Sequence, residues 1–143
     1  MWRGLIAAIL LAGCAQLPPT PQDMQAKKFE QPLSGKSVIY VVRDNPDFND
    51  AAATIWLGDK NMITTYPGTY YRWEVAPGTH RIAGFAGDSD SITVRVEPDR
   101  IYYVQQRVTP FTLFNSSVAP TSNFQVIPES SGRTVVMRSQ LVQ

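Results

Sequence analysis

The feature that most constrains how this chain folds is a series of short apolar stretches alternating with period two, cut at short intervals by Gly, Pro, Asn and Asp. Thr69 to Val75 is the cleanest of them, with Tyr71, Trp73 and Val75 on one side and Tyr70, Arg72 and Glu74 on the other. One buried and one wet strand face follow. Ala76-Pro77-Gly78-Thr79 is a strong turn signal, and pairing across it predicts Trp73 opposite Ile82, Val75 opposite His80 and Glu74 opposite Arg81 in a hairpin.

The other stretches read the same way. Ser37 to Arg43 is apolar on both faces, which suits a strand buried on both sides. Ala53 to Leu57 and Asn61 to Thr65 flank Gly58-Asp59-Lys60, a tight hairpin in which Gly58 supplies a positive φ. Ile92, Val94 and Val96 mark a half-buried strand, with Arg100 to Thr109 as its expected hairpin partner and Pro110 as the end of that partner. Phe111 to Ser122 is a long loop or an edge excursion, and Asn123 to Ile127 is a last strand. Residues 129–141 form a short helix, or a further strand through Thr134 to Met137, with helix the favoured reading although Gly132 weakens it. The expected fold is all-β, mainly an antiparallel β-sandwich, immunoglobulin-like or similar, with a short C-terminal helix.

Ahead of the strands lies a leader of different character. Met1-Trp2-Arg3, the apolar run Gly4 to Leu11 and the small pair Ala12-Gly13 have the layout of an export signal. The run is too short to span a bilayer, which takes roughly 20 apolar residues. Leu11-Ala12-Gly13-Cys14 resembles the bacterial lipobox, which implies removal of residues 1–13 as a signal peptide and lipidation of Cys14 by diacylglycerol and a further fatty acid such as palmitate. Two or more acyl chains make a permanent anchor. Ala15 stands where an Asp commonly retains Gram-negative lipoproteins at the inner membrane, so the same resemblance implies the outer membrane, with the domain facing the periplasm. Residues 14–35, rich in Pro, Gln and Lys, read as a tether able to hold the domain several tens of Å from the membrane, and residues 36–143 as the β domain.

Charge and cysteine content narrow the classes further. The chain carries 13 basic and 12 acidic residues, a near balance that offers no electrostatic case for nucleic acid. Cys14 is the only cysteine, so the domain must fold without a disulfide.

Several segments taken in order resemble the bacterial lipoproteins that carry the domain of unknown function 2846 (DUF2846). They are Ser37-Val38-Ile39-Tyr40-Val41-Val42-Arg43, then Tyr70-Tyr71-Arg72-Trp73-Glu74-Val75-Ala76-Pro77-Gly78-Thr79-His80, then Ile101-Tyr102-Tyr103-Val104-Gln105-Gln106, and more loosely Val126 to Gly132. Arg100 stands where that family usually has Gly, and Gly58-Asp59 inverts its usual Asp-Gly turn. The resemblance implies a small β-rich envelope domain, a C-terminal helix and no assigned activity.

Catalytic constellations are thin. His80 is the only histidine, and its phase with Trp73, Val75 and Ile82 makes it a packed residue at the core margin before a general base. One His without a free Cys cannot assemble a zinc site. Asp44, Asp47 and Asp50 lack the EF-hand spacing and read as solvated turn residues, and Asp88 and Asp90 are weaker candidates still. Glu74 and Glu97 are the carboxylates for glycoside cleavage by residue type, and both sit beside Arg on wet faces. No catalytic residue, metal or cofactor is expected.

Tyr66, Tyr70, Tyr102, Phe111 and Phe114 fall on wet phases or in loops, and together they are the expected binding patch for an envelope protein or a glycan. The competing reading is that the leader or the C-terminal segment covers some of them. The expected function is a non-enzymatic periplasmic binding or assembly module of unknown ligand. An envelope hydrolase or an inhibitor of one, and a purely structural envelope protein, are the alternatives.

Overall fold

The computed structural model of the chain describes residues 17–85, 90–113 and 116–143, the side chains of 111–119 excepted. Cys14, with residues 1–13 before it, where the signal peptide was expected, lies outside the described residues, as do Asp88 and Phe114. The elements run α1 (Pro21–Ala26), β1 (Ser37–Arg43), β2 (Ala53–Leu57), β3 (Asn61–Thr65), β4 (Thr69–Val75), β5 (Gly78–Ala83), β6 (Ser91–Val96), β7 (Ile101–Leu113), β8 (Ser116–Ile127), α2 (Glu129–Arg138) and β9 (Gln140–Leu141). Among the described residues the strands form a five-stranded sheet, β8-β7-β1-β4-β9, and a four-stranded sheet, β3-β2-β5-β6. The fold is an all-β sandwich with a short C-terminal helix.

β1 is the centre of the five-stranded sheet, and all seven of its residues are buried. Its two apolar faces feed two cores. Ile39 and Val41 enter the inter-sheet core with Ile55, Leu57, Ile63, Ile82, Val94 and Val104. Val38, Tyr40 and Val42 enter an outer core with Tyr70, Tyr103, Ala26, Val135 and Val136, so α1 and α2 form a third layer over the back of the sheet. A doubly apolar strand needs cover on both sides, and that requirement explains the helical layer.

The predicted hairpins fare differently. β2 and β3 pair antiparallel from Ala53↔Thr65 to Leu57↔Asn61, with Gly58 at φ 65° in the turn. The predicted β4–β5 hairpin is not made. β4 pairs antiparallel with β1, from Thr69↔Arg43 to Val75↔Ser37, while β5 pairs with β2 and β6 in the other sheet. Ala76-Pro77 is a corner between sheets, entered by Gly78 at φ 131°. The predicted pairing of β6 with β7 fails for a related reason. The turn between them is tied to the leader, with the Asp99 N–H donating to the Lys36 carbonyl and the Asp99 side chain accepting from the Gly35 N–H, and β7 joins β1 in parallel. Alternation sets which side chains face inward and leaves the neighbouring strand open.

Pro110 does not end its strand. β7 and β8 form a long hairpin whose register shifts between Thr109 and Phe111, so the proline sits at an irregularity where no ladder donor is required. The excursion is therefore strand over 111–113 and 116–122. At the C-terminal end the helix reading holds as α2, which takes in Thr134 to Met137 and so excludes the strand expected there as the alternative; the two-residue strand β9 follows and pairs in parallel with Thr69 and Tyr70 of β4. Gly132 is there for close approach: a Cβ on it would fall inside the ring of Tyr103.

The expected tether also changes. Thr20 caps α1 through its hydroxyl, which accepts from the Asp23 N–H at 3.1 Å, and Pro21 occupies the first turn. Ala26 is buried in the outer core and Phe29 packs against it, so this part of the leader is docked on the domain.

Candidate functional site

The structure does not bring the predicted aromatic patch together. Tyr66 is exposed. Tyr70 is fully buried under α1, a correction with a simple cause: the polar-looking phase of β4 is the face that the helical layer covers. Tyr102 packs against the inter-sheet core, and its hydroxyl accepts from the Glu97 N–H at 2.9 Å. The backbone of Phe111 belongs to β7, while its side chain, like all of Phe114, lies outside the described residues.

A different apolar island stands exposed on the outer face of the four-stranded sheet. The β2–β3 register sets Trp56 directly across from Met62, and the β2–β5 register sets Trp56 beside Ala83. Phe85 follows two residues after Ala83. Trp56 is 39 % exposed, Met62 56 % and Phe85 70 %, whereas their strand neighbours Ile55, Leu57 and Ile82 are buried on the opposite face. Trp56, Arg81, Ala83 and Phe85 line a shallow depression of about 350 Å³ with Gly58 and Asp59 at its rim. Around it the sheet face is polar, as in the Thr54 and Thr64 hydroxyls 3.2 Å apart. Aromatic surface with a polar rim is the arrangement found at binding hot spots. Two rings and a guanidinium on a rigid sheet can stack on a flat or apolar ligand.

The buried titratable groups have structural work. Asp23 is buried on the inner face of α1, where its carboxylate accepts from the Tyr70 hydroxyl at 2.7 Å and the Leu141 N–H at 3.0 Å and pairs with Lys27 Nζ at 2.9 Å. Burial pushes this carboxyl up, but the bonds from Lys27, Tyr70 and Leu141 outweigh it and hold the group below the usual carboxylate range. Burial, then the bond to Asp23, push the Tyr70 phenol far above its ordinary value. Lys27 also donates to the Ser139 carbonyl at 2.7 Å. The cluster fastens α1, β4 and β9 to one another.

At the end of β1, across from Thr69 of β4, Arg43 is fully buried and donates to Asp47 at 2.7 Å, to the Thr65 carbonyl at 3.0 Å and to the Asn49 carbonyl at 2.5 Å. Asp47 in turn accepts from the Val108 N–H at 3.1 Å. The expectation of solvated turn residues therefore fails at Asp47, whose side chain is 2 % exposed. A buried guanidinium needs its donors filled, and the 44–50 loop folds back to fill them. Among the described residues, no group of three His, Cys, Asp or Glu side chains stands close enough to hold a metal ion. His80 Nε2 lies 2.6 Å from the Ala76 carbonyl, Glu74 pairs with Arg72 at 3.7 Å, and Glu97 pairs with Arg100 at 3.2 Å. Asp90, just before β6, is buried.

Of the residues that matter here, sequence reasoning missed Trp56, Met62 and Phe85. The signal for the first two was present: the turn at Gly58-Asp59-Lys60 sets Trp56 across from Met62 on the outward phase. Comparison with known proteins adds one relative, an uncharacterized protein of Haemophilus influenzae, 24 % identical over 134 residues that cover 92 % of this chain and 77 % of the relative. No family model matches the chain, and no solved structure does.

Proposed function

We propose that this protein is a non-enzymatic binding or assembly module of the bacterial envelope, anchored to the outer membrane by lipidated Cys14 and presenting the Trp56, Met62 and Phe85 island to a partner in the periplasm. The observation that carries the reading is that island, a cluster of large apolar side chains kept in water on an otherwise polar sheet face. The lipobox-like Leu11 to Cys14 supports the anchor, as does the resemblance to lipoproteins with the domain of unknown function 2846.

With Cys14 acylated, the docking of α1 changes what the leader does. Five residues lie between the anchor and Thr20, and the chain from Cys14 to Thr20 reaches at most about 20 Å. The domain is held near the membrane by its helical layer, with the island on the other sheet of the sandwich.

Two measurements test the proposal separately. Metabolic labelling with a fatty-acid analogue, followed by membrane fractionation, is expected to label the wild type and leave Cys14→Ser unlabelled and soluble; an unlabelled wild type overturns the anchor. Photo-crosslinking from position 62 in intact cells is expected to trap one dominant partner, and to lose it in Trp56→Ala/Phe85→Ala at unchanged folding. Crosslinking unaffected by that double substitution overturns the binding surface.

A further inference from the structure

The five-stranded sheet, on the opposite side of the sandwich from the aromatic island, has an open edge along β4. β9 covers only Thr69 and Tyr70 of β4. The Gln140 N–H donates to the Gly68 carbonyl and the Val142 N–H to the Tyr70 carbonyl, each at 2.9 Å, which shows that Tyr70 turns its backbone groups to this edge. By the two-residue period, Arg72 and Glu74 turn theirs the same way, while Tyr71, Trp73 and Val75 face β1. Among the described residues no strand lies beside Arg72 to Val75 on that side. Two backbone N–H and two carbonyl groups are thus presented in line.

That edge opens into a groove of about 770 Å³, which lies between β4 and the segment from α1 to Leu33. Gln22 and Gln25 of α1 and Gln31 after it line one wall, Tyr71, Arg72 and Glu74 line the sheet side, and Val142 and Gln143 follow β9 into the groove. The volume is that of a ligand site. β9 already enters this groove as a parallel strand, and its line continues along the uncovered half of β4.

We propose that this slot binds an extended segment of a partner polypeptide, which lengthens the sheet where β9 stops. Only an extended backbone presents donors and acceptors at the spacing of Arg72 and Glu74, and strand addition to a sheet edge is an established mode of peptide recognition. The side chains set the chemistry of the segment. On one face it lies beside Arg72 and Glu74, a loosely paired couple at 3.7 Å, and on the other beside Tyr71, Trp73 and Val75. The occupant is an alternating polar and apolar segment of about four residues.

Glu74→Pro isolates the claim. Its N–H faces the open edge, so proline leaves the bonds to β1 intact while deleting a donor and placing Cδ in the path of an incoming strand. A phage library of random nine-residue peptides is selected on the wild type, and the enriched peptides are synthesised. They are expected to alternate, to protect the Arg72 and Glu74 amides from hydrogen exchange, and to bind Glu74→Pro about tenfold more weakly or worse, roughly 1.4 kcal/mol. Should Glu74→Pro fail to fold, the exchange pattern on the wild type decides. No enrichment above an unrelated bait, protection confined to other amides, or equal binding to a folded Glu74→Pro overturns the proposal. A concentration-dependent dimer that protects the same amides also overturns it, because the slot then belongs to a second copy of the chain.

Discussion

Trp73 and His80 meet edge to face, ring centroids 5.3 Å apart and planes at 76°, although their strands belong to different sheets. The contact closes the corner at Ala76-Pro77, and a second bond locks it. A carbonyl can only accept, so His80 Nε2 carries a proton and donates to Ala76 at 2.6 Å. His80→Ala removes both interactions and is expected to cost about 1–2 kcal/mol. Urea unfolding measures it; a loss near zero would mean that the corner is held elsewhere.

Gly132 runs against the usual expectation for a helix. Gly→Ala inside a helix normally gains up to about 1 kcal/mol, but here the added methyl meets the Tyr103 ring. Gly132→Ala is therefore expected to destabilise by about 1–3 kcal/mol and to weaken near-ultraviolet tyrosine dichroism as α2 lifts. A raised melting temperature would contradict the packing described.

Asp47→Ala leaves the Arg43 guanidinium buried without its carboxylate. Breaking such a pair costs about 3–5 kcal/mol, and Asp47→Asn, which keeps an acceptor, is expected to cost less. Equal losses in the two variants would assign the effect to the loop backbone and not to the charge.

Asp23 makes the domain acid-sensitive. Its folded pKa lies below the ordinary value of about 3.9, so its contribution is fully present above that pH and is lost as pH falls through the folded value. Chemical denaturation between about pH 5 and 2 is expected to show a decline that Asp23→Asn flattens. Parallel curves for the two proteins would remove Asp23 as the cause.

Tyr40, Tyr70 and Tyr103 act at the other end of the scale. Burial is the first cause of the upward shift in all three, so their folded values exceed the unfolded value of about 10. Stability is intact below that pH and falls as pH rises above it, because the unfolded chain releases these protons first. Tyrosinate absorbance at alkaline pH is expected to include a step coincident with the loss of far-ultraviolet signal. Full ionisation of every tyrosine in a still-folded protein would refute the buried outer core.

Much of the local structure was legible because it is written in patterns of two. β1 and the β2–β3 hairpin stand where alternation and Gly58 put them. Partner choice was not legible, since a strand such as β4 satisfies its inward face equally well beside β5 or beside β1. The helix at 21–26 was hidden by a proline-rich composition, although Thr20-Pro21-Gln22-Asp23 has the form of a helix start. Tyr70 was misplaced for the same reason: without α1, nothing shows that the apparently wet face of β4 is roofed over. The Trp56 and Met62 pair was within reach of the hairpin register, but Phe85 joins it only through the pairing of β2 with β5.

The Asp23 cluster spans 118 positions, from a carboxylate near the start of the chain to the Leu141 amide. A polypeptide made start-first must therefore emerge almost whole before its earliest helix can be seated. Until α2 and residues 139–141 arrive, Val38, Tyr40 and Val42 lack the part of their cover that Val135 and Val136 supply, and the nascent sheet keeps an apolar back in water.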